Sequence, residues 1–392
     1  MSTGRQERAA LVALAALPAI GPATLLALQE RGDAEHAWSL VHRGRGDQHP
    51  MIAAAVAGRP GHLGLAEVHA AAAPIDAGAF LDRHRQLGIE VLVRGDAAYP
   101  DRLDDDPAPP ALLFVDGSLA GLEGRSVAIV GTRNATRLGC DTAASLAEEL
   151  SSTDIAIVSG LALGIDGAAH RAVVDAFDRG RRTAPPVAVV AAGLDRRYPR
   201  RHARLHQQVA HRGAVISEVP IGVAPTRWRF PARNRIIAGL ADALVVVESR
   251  SAGGSMLTVG EALARDVPVL AVPGHPTSPA SAGTLDLICD GAVPVRDAED
   301  VRVAVGAGGV APAERGVDRS DEGDDGVDDA RARTVLDALG AGPASLSELV
   351  RATGWTLASV SEVVLALELR GRIVRSGSWY EPRARGANGA GR

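Results

Sequence analysis

Arginine and aromatic side chains gather in one stretch of the chain, and their chemistry is that of an anion-binding surface. Between Arg196 and Arg235, ten arginines stand against a single acid, Glu218, in a chain whose net charge is −5. All 42 basic residues are arginine, so every contact with a phosphate would use a planar, permanently charged guanidinium. We expect this surface to bind phosphates, whereas the acidic balance of the whole chain disfavours indiscriminate binding of polyanions.

The segment RFPARNRIIAGL, Arg229 to Leu240, places three arginines around a proline and an asparagine, just before an apolar helix. Tyr198, Trp228 and Phe230 are interleaved with the arginines, although aromatic residues are only 3% of the chain. Rings that stack with bases, beside cations that follow the backbone, are typical of proteins that bind single-stranded nucleic acid. We expect one positive channel, which contains Arg200, Arg201, Arg204, Arg229, Arg233 and Arg235.

Glycine-rich loops form further candidate binding sites for phosphates. GTRNATRLG, Gly131 to Gly139, follows an apolar run, so its backbone can approach a phosphate, the next helix offers its N–H groups, and Arg133 adds a bidentate donor. The loop matches neither the dinucleotide-binding nor the Walker pattern. SAGGSMLTV (251–259) and PGHPTSPASAGTLDLI (273–288) place glycines and hydroxyls before helices. These two segments are therefore candidate anion-binding nests.

SGLALGIDGAAH, Ser159 to His170, places Gly160 and Gly164 around a turn into a helix. Asp166 and His170 are four residues apart and share one helical face, as an acid and a base or two metal ligands would. An aspartate in the first helical turn is explained more simply by capping and the helix dipole. We therefore favour a structural role for this pair.

Elements that could position these residues alternate between short β-branched runs and helical runs across residues 86–300. This alternation is typical of an α/β protein with a parallel sheet covered on both faces. The carboxyl ends of such strands form the ligand crevice, so we expect the glycine-bearing loops to line one edge. The predicted strands are 89–95, 127–131, 155–160, 186–193, 214–219, 243–248 and 268–274.

Two helical regions flank the sheet. Residues 1–85 are predicted to form an N-terminal helical domain, in which LPAIGPATLLAL resembles a helix-hairpin-helix or sterile-alpha-motif element, with an ordinary helical bundle as the favoured alternative. Residues 301–329 are predicted to be an acidic linker, since Glu314 to Asp329 carries eight acids against two arginines. Residues 330–382 are predicted to form a winged-helix-like domain, and residues 383–392 a disordered tail.

The third helix of the winged-helix-like domain carries no basic residue before Arg370, which favours a protein-interaction or structural role over reading of DNA. The chain has no apolar run of about 18 uncharged residues, so we expect a cytoplasmic protein that does not enter the membrane. Two isolated cysteines, Cys140 and Cys289, are too few for a disulfide framework or a zinc site. We predict neither a metal nor a cofactor.

Seven motifs, VAIVGTR, SGLALGIDGAAH, AGLDRRYP, SEVP, FPARNRIIAGLADALVVVE, GGSMLTV and VPG, in this order resemble the DprA/Smf family. The resemblance is dense over residues 90–295. It implies a Rossmann-like open parallel sheet, and a homodimeric, non-enzymatic protein that binds single-stranded DNA without sequence preference. It also implies loading of the recombinase RecA onto incoming strands displaced from single-strand-binding protein during natural transformation.

The resemblance also implies which residues hold phosphates: Arg133, one of Arg200 and Arg204, and the FPARNR arginines. We expect Arg133, Arg233 and Arg235 to be exposed, so that removal of their charges leaves the fold intact. The full predicted DNA-binding set is Gly131, Thr132, Arg133, Gly160, Gly164, Arg200, Arg204, Phe230, Arg233, Asn234, Arg235, Gly254 and Ser255.

Some positions depart from the family pattern, which commonly has asparagine where His202 and Leu285 stand and serine where Thr132 stands. Leu285 removes an amide from the last candidate nest. As an alternative, GSMLTVGE (254–261) loosely resembles the phosphate loop of lysine-decarboxylase-like nucleoside-monophosphate hydrolases, with Glu261 as the group that activates water. Ser255 and Leu257 disturb that loop, so the sequence favours a DNA-binding protein over an enzyme.

Overall fold

The structure is a computed structural model that describes residues 4–57, 64–307, 329–339, 344–370, 372–376 and 379–382. The chain divides into two compact units, Met1–Gly309 and Val310–Arg392. Most of the predicted linker and the predicted tail lie outside the described residues. Residues Ala298–Ala304 form a helix with Val301 fully buried, so the first residues of the predicted linker belong to the core of the first unit.

The N-terminal region is helical, as predicted. Its first two helices are joined by a short turn at residues 16–21, and the second begins at Pro22 and ends before Gly32, whose φ of 63° suits glycine. Glu7 of the first helix accepts hydrogen bonds from the N–H groups of Ala34 (2.8 Å) and Glu35 (2.9 Å) and so caps the third. The helices are α1 (Arg5–Ala15), α2 (Pro22–Arg31), α3 (Ala34–His42), α4 (Pro50–Ala57), α5 (Leu65–Ala72) and α6 (Ala77–Gln86).

Within the described residues the first unit has a nine-stranded sheet, in the order β1-β2-β6-β5-β4-β3-β7-β8-β9. Strands from β6 to β9 along this order run parallel, whereas β2 is antiparallel to both β1 and β6. The strands are β1 (Glu90–Val93), β2 (Leu112–Gly117), β3 (Ser126–Val130), β4 (Ala156–Ser159), β5 (Val187–Val190), β6 (Ala214–Ser217), β7 (Ala243–Val246), β8 (Val269–Ala271) and β9 (Val293–Pro294).

All seven predicted strands are present, and β2 and β9 are additional. From β3 the sheet grows in one direction through β4, β5 and β6, and then in the opposite direction through β7, β8 and β9, with β7 paired with β3. This reversal of direction creates a crevice at the carboxyl ends of β3 and β7, as in other open α/β sheets. The fold is therefore the predicted open α/β sheet, and its crevice lies at the edge formed by the carboxyl ends of β3 and β7.

Helices cover both faces of the sheet. One face is covered by α11 and α12, through residues such as Ile236, Ile237 and Val259, and the other by α8, α9 and α14. Contrary to expectation, the FPARNR segment does not precede a helix but forms its first turns. The helices are α7 (Asp101–Asp104), α8 (Arg137–Ser151), α9 (Ile165–Asp178), α10 (Ala203–Arg212), α11 (Arg229–Gly239), α12 (Gly254–Leu263), α13 (Ala282–Cys289) and α14 (Ala298–Ala304).

The N-terminal helices and the sheet share one apolar cluster. Leu11, Leu14 and Leu28 are fully buried and belong to the same cluster as Phe114 of β2. Burial of each such side chain stabilises the fold by about 1.5–3 kcal/mol. This shared core explains why both regions fall within one compact unit.

Arg8 of α1 blocks the open edge of β1. Its guanidinium donates to the Val91 carbonyl at 2.7 Å and pairs with Asp96 at 2.8 Å, while Asp96 accepts from the N–H of Val93 at 2.8 Å. Unpaired edge groups invite pairing with another chain. Arg8 and Asp96 therefore close this edge against strand addition.

The second unit has the predicted winged-helix architecture. Its helices are α15 (Asp329–Leu339), α16 (Leu346–Thr353) and α17 (Leu357–Leu369), and β10 (Ala344–Ser345) adds a third strand to the predicted hairpin of β11 (Ile373–Ser376) and β12 (Trp379–Pro382). Val335, Leu349 and Val360 are fully buried in its core. Among all the residues that the structure describes, no helix is both long and apolar enough to span a membrane.

Candidate nucleic-acid interface

A cleft of about 680 Å³ opens at the carboxyl ends of β3 and β7. Its walls are the loop after β3 (residues 131–134), the first turns of α11 (residues 230–234) and the segment from Arg250 into α12. The cleft lies at the reversal point of the strand order, where an open α/β sheet binds its ligand. We call it the arginine cleft.

Arg133, Arg227, Arg233 and Arg250 line the arginine cleft. The first, second and fourth are exposed, and in the described part of the chain none of these three pairs with a carboxylate. Among the described lining residues Asp166 is the one acid, and it is 6% exposed. The cleft therefore presents a positive surface to the solvent.

Two aromatic rings meet in the arginine cleft. Tyr198, 46% exposed, lies 5.7 Å from Phe230 between ring centroids, and the guanidinium of Arg133 lies 4.8 Å from the Phe230 centroid. The cation–π contact holds Arg133 above the ring. Trp228 is exposed beside Arg229 but does not line the cleft. Two of the three predicted stacking residues are thus brought together.

Arg233 forms the floor of the arginine cleft and is 8% exposed, so the prediction that it is exposed is wrong. Its Nη1 donates to the carbonyls of Gly160, at 3.0 Å, and Val189, and its Nε donates to Asn234 at 3.3 Å. Burial lowers the pKa of Arg233 to about 10, and nearby Asp166 opposes this shift. Arg233 therefore remains charged at neutral pH.

Gly160 makes room for the charged groups beneath the cleft. A Cβ at this position would lie 2.5 Å from Nη1 of Arg233 and 2.7 Å from Oδ2 of Asp166. The Gly160 N–H donates to Asp166 at 3.2 Å. Burial raises the pKa of Asp166, and the charge of Arg233 counteracts that effect. A glycine is needed at this position because the side chains of Arg233 and Asp166 both approach its backbone.

Asp166 and His170 are both buried in α9, and their surroundings support the structural interpretation. Asp166 binds the preceding loop through Gly160, while His170 has no exposed surface and its Nε2 lies 3.2 Å from the Val187 carbonyl. Burial lowers the pKa of His170 to about 4, so the ring is neutral at pH 7. A neutral, enclosed imidazole does not reach a ligand in the cleft.

Acid should destabilise the protein through His170. The folded-state pKa lies below the ordinary value of 6.5, so the unfolded state binds the proton more readily, and stability falls as pH decreases from about 6.5 towards 4. We expect the His170→Asn variant to lose less stability over this range than the parent protein. Urea unfolding followed by circular dichroism at pH 7.0, 5.5 and 4.5 measures the difference. Parallel pH curves would contradict this assignment.

Glu248, after β7, was missed as a positioning residue. Its carboxylate accepts from the N–H of Thr136 at 2.8 Å, and its carbonyl accepts from the N–H of Thr132 at 2.7 Å. Gly139 lacks the Cβ that would collide with this carboxylate, and Gly164, with φ 77°, packs directly against the Thr132 carbonyl. Glu248 thus fixes the loop that carries Arg133. The sequence does contain a signal for this role, because Glu248 is an acid that directly follows the apolar run of a predicted strand.

The structure brings most, but not all, of the predicted DNA-binding residues into the arginine cleft. Gly164 packs against the loop that carries Arg133, and Gly160 lines a smaller adjoining cavity together with Arg133, Tyr198 and Phe230. Arg200 lies in a short 3-10 turn and Arg204 at the start of α10, both exposed but outside the lining. The predicted residues that do line the cleft are Gly131, Thr132, Arg133, Phe230, Arg233, Asn234, Gly254 and Ser255.

Arg235 does not line the arginine cleft, and the prediction that it is exposed is also wrong. It pairs with Glu218 and donates to the Ala108 carbonyl at 2.7 Å, and the side chains of the pair are each 11% exposed. Because helix α11 packs against the sheet, this ion pair is enclosed between them. The 273–288 segment does not line the cleft either, whereas Arg227, Arg250 and Asn134, unassigned from sequence, do.

Glu261, the water-activating residue of the hydrolase alternative, lies outside the arginine cleft. Its carboxylate pairs with Arg265 at 2.6 Å, and Arg265 also pairs with Asp106 at 2.7 Å. A carboxylate held by arginine on the flank of α12 is poorly suited to activate water for a ligand in the cleft. The geometry gives no support to the hydrolase alternative.

Comparison with known proteins identifies the family. The profile of DNA recombination-mediator protein A matches residues 90–306, and that of the DprA winged helix domain matches residues 320–377. DNA processing protein DprA of Bacillus subtilis is 38% identical over 222 residues, 56% of this chain and 73% of that protein. The putative DprA of Mycobacterium tuberculosis is 40% identical over 262 residues, which cover 66% of this chain and 65% of that protein.

The crystal structure of DprA from Streptococcus pneumoniae is similar to this fold, with a TM-score of 0.61 and 29% identity over 77% of this chain and 98% of that chain. The family profile covers more than half of the chain, and its winged-helix companion matches the second unit. The chain therefore belongs to the DNA recombination-mediator protein A family, also called DprA/Smf.

Proposed function

We propose that the protein binds single-stranded DNA in the arginine cleft, without sequence preference. One observation carries the proposal: exposed Arg133, Arg227 and Arg250 converge on a cleft whose one described acid, Asp166, is buried. Guanidinium groups bind phosphate oxygens through paired, charge-assisted hydrogen bonds. Such contacts recognise the backbone and carry no information about base identity.

Tyr198 and Phe230 support a preference for single strands. Their rings meet inside the cleft beside Arg133. Stacking on such rings requires the face of a base, which duplex DNA hides between neighbouring base pairs, and it stabilises binding by about 1–3 kcal/mol per base. A single strand can place phosphates on the arginines and bases on the rings at the same time.

Membership of a recombination-mediator family supports a wider role. We propose that a homodimer of this chain protects incoming single-stranded DNA during natural transformation and loads RecA onto strands covered by single-strand-binding protein. The arginine cleft accounts for the DNA-binding part of this function. RecA-dependent strand pairing on covered DNA, with and without the protein, measures the loading part.

Binding of fluorescent single-stranded and double-stranded DNA of mixed sequence, across a salt series, tests the proposed site. We expect a clear preference for single strands and affinity that falls linearly on a log–log plot, with a slope of about −0.7 per phosphate contact. Equal, salt-independent binding of the two DNAs would contradict a phosphate-binding cleft.

The second unit should not be required for binding to the arginine cleft. All the described lining residues of the cleft belong to the first unit, residues 1–309, which is compact separately from the second unit, residues 310–392. We expect a chain truncated after Gly309 to remain folded and to bind single-stranded DNA within about threefold of the full chain, because its phosphate contacts are unchanged. Circular dichroism and fluorescence anisotropy measure the two properties. Loss of binding by a folded truncation would assign part of the site to the second unit.

A further inference from the structure

A second cavity, of about 580 Å³, lies over β1 and β2, away from the arginine cleft. The segment 117–123 forms one wall, and it begins where Gly117 pairs with Ala214, the first residue of β6. That wall therefore lies at the edge where the parallel strands begin, opposite the edge that carries the arginine cleft. The apolar part of its lining includes Leu92, Tyr99, Leu119 and Leu122. We call this cavity the acidic groove, because of its rim.

Three exposed carboxylates line the rim of the acidic groove, those of Glu90, Asp101 and Glu123. In the part of the chain that the structure describes, none of them pairs with an arginine or histidine. The one cation of the described lining, Arg102, is already engaged, since it pairs with Asp242 at 2.8 Å and donates to the Gly124 carbonyl at 2.9 Å. The groove therefore offers a small apolar patch, formed mainly by the half-buried Leu119 and Leu122, beside uncompensated negative charge.

We propose that the acidic groove docks a segment of a partner protein that combines apolar side chains with flanking lysine or arginine. An open groove that combines an exposed apolar patch with a polar rim is typical of a protein interaction site. Charge complementarity identifies the occupant, because three carboxylates attract a basic segment and repel nucleic acid. If single-stranded DNA occupies the arginine cleft, as proposed above, the partner and the DNA bind at opposite edges and do not compete.

Defined peptides test the acidic groove on the full-length chain, independently of DNA. The probe is a fluorescein-labelled octapeptide of alternating leucine and arginine. One control peptide replaces arginine with glutamate, and another replaces leucine with serine. We expect only the first peptide to bind, and we expect Ala120→Trp, which fills the groove, and the double variant Asp101→Asn/Glu123→Gln each to weaken its binding at least about tenfold.

The double variant Asp286→Asn/Asp290→Asn is the matched control, because it removes two exposed acids from the end of α13. It should retain peptide binding, and circular dichroism confirms that each variant is folded. Equal binding of the serine–arginine peptide, or equal loss in the control variant, would overturn the proposal. Conversion of a dimer to a monomer by Ala120→Trp in sedimentation would also overturn it, because the occupant would then be a second copy of the chain. Single-stranded DNA binding by the groove variants reports separately on the arginine cleft.

Discussion

Arg133→Gln is expected to weaken binding of single-stranded DNA by about 10- to 100-fold at low salt, since a hydrogen bond to a charged group contributes about 1.5–3 kcal/mol. Arg133 is exposed, lies against Phe230 and, in the described residues, has no carboxylate partner. Its charge is therefore available to a phosphate. The same exposure predicts that the free energy of unfolding changes by no more than about 0.5 kcal/mol.

The salt dependence distinguishes a phosphate contact from a general loss of charge. Loss of one contact should reduce the slope of log K against log salt by about 0.7. Arg182→Gln is the matched control, because it removes the same charge from an arginine that is 82% exposed, pairs with Asp154 and lies outside the arginine cleft. Arg133→Lys should bind with intermediate affinity, since it keeps the charge but not the planar fork. Equal losses in Arg133→Gln and Arg182→Gln would contradict the site.

The sheet was predictable because its parallel strands are buried on both faces and appear as continuous apolar runs. Val127 to Gly131 and Ala243 to Glu248 are such runs, whereas their pairing as neighbours at the reversal point was not predicted from the sequence. The loop that follows β3 was recognisable from its glycine and Arg133. These features depend on local sequence, so sequence reasoning could reach them.

Burial of arginine was not predictable from the same patterns. Arg233 and Arg235 belong to a run that suggests a solvated, basic surface, yet α11 packs against the sheet and encloses both. The enclosing elements are distant in sequence, since Gly160, Val189 and Ala108 supply the accepting carbonyls. Arg227 and Arg250 were not included in the predicted site because each lies just before a segment that was singled out, RFPARNR for Arg227 and SAGGSMLTV for Arg250. Their role depends on the tertiary position of those segments.

One signal of the buried ion pair was present in the sequence. Glu218 is the single acid among ten arginines between Arg196 and Arg235, and it directly follows the short apolar run that forms β6. An acid at the end of a buried strand requires a partner, because an isolated buried carboxylate is costly. The structure supplies Arg235 as that partner. The arginine of this pair therefore stabilises the fold, which gives it a different expected phenotype from that of Arg133.

Arg235→Ala is expected to reduce the free energy of unfolding by about 3–5 kcal/mol, because it leaves the carboxylate of Glu218 enclosed without a partner. Burial already raises the pKa of Glu218, and Arg235 opposes that shift. Without Arg235 the pKa should rise further. A raised folded-state pKa stabilises the protein fully below the ordinary value of 4.5, and this contribution is lost as pH rises through the folded-state pKa. The variant should therefore be more stable, relative to the parent protein, at pH 5 than at pH 8.

Urea unfolding of Arg235→Ala at pH 5 and pH 8, with the parent protein beside it, measures both effects. The double variant Glu218→Gln/Arg235→Met is the control, because it removes both charges and keeps comparable volume. It should recover much of the lost stability and should lack the pH dependence that the carboxyl of Glu218 contributes, since replacement of a buried pair by uncharged groups costs far less than removal of one partner. If Arg235→Ala instead unfolded like the parent protein but bound single-stranded DNA at least tenfold more weakly, the guanidinium of Arg235 would act on phosphate, and its assignment to the fold would be wrong.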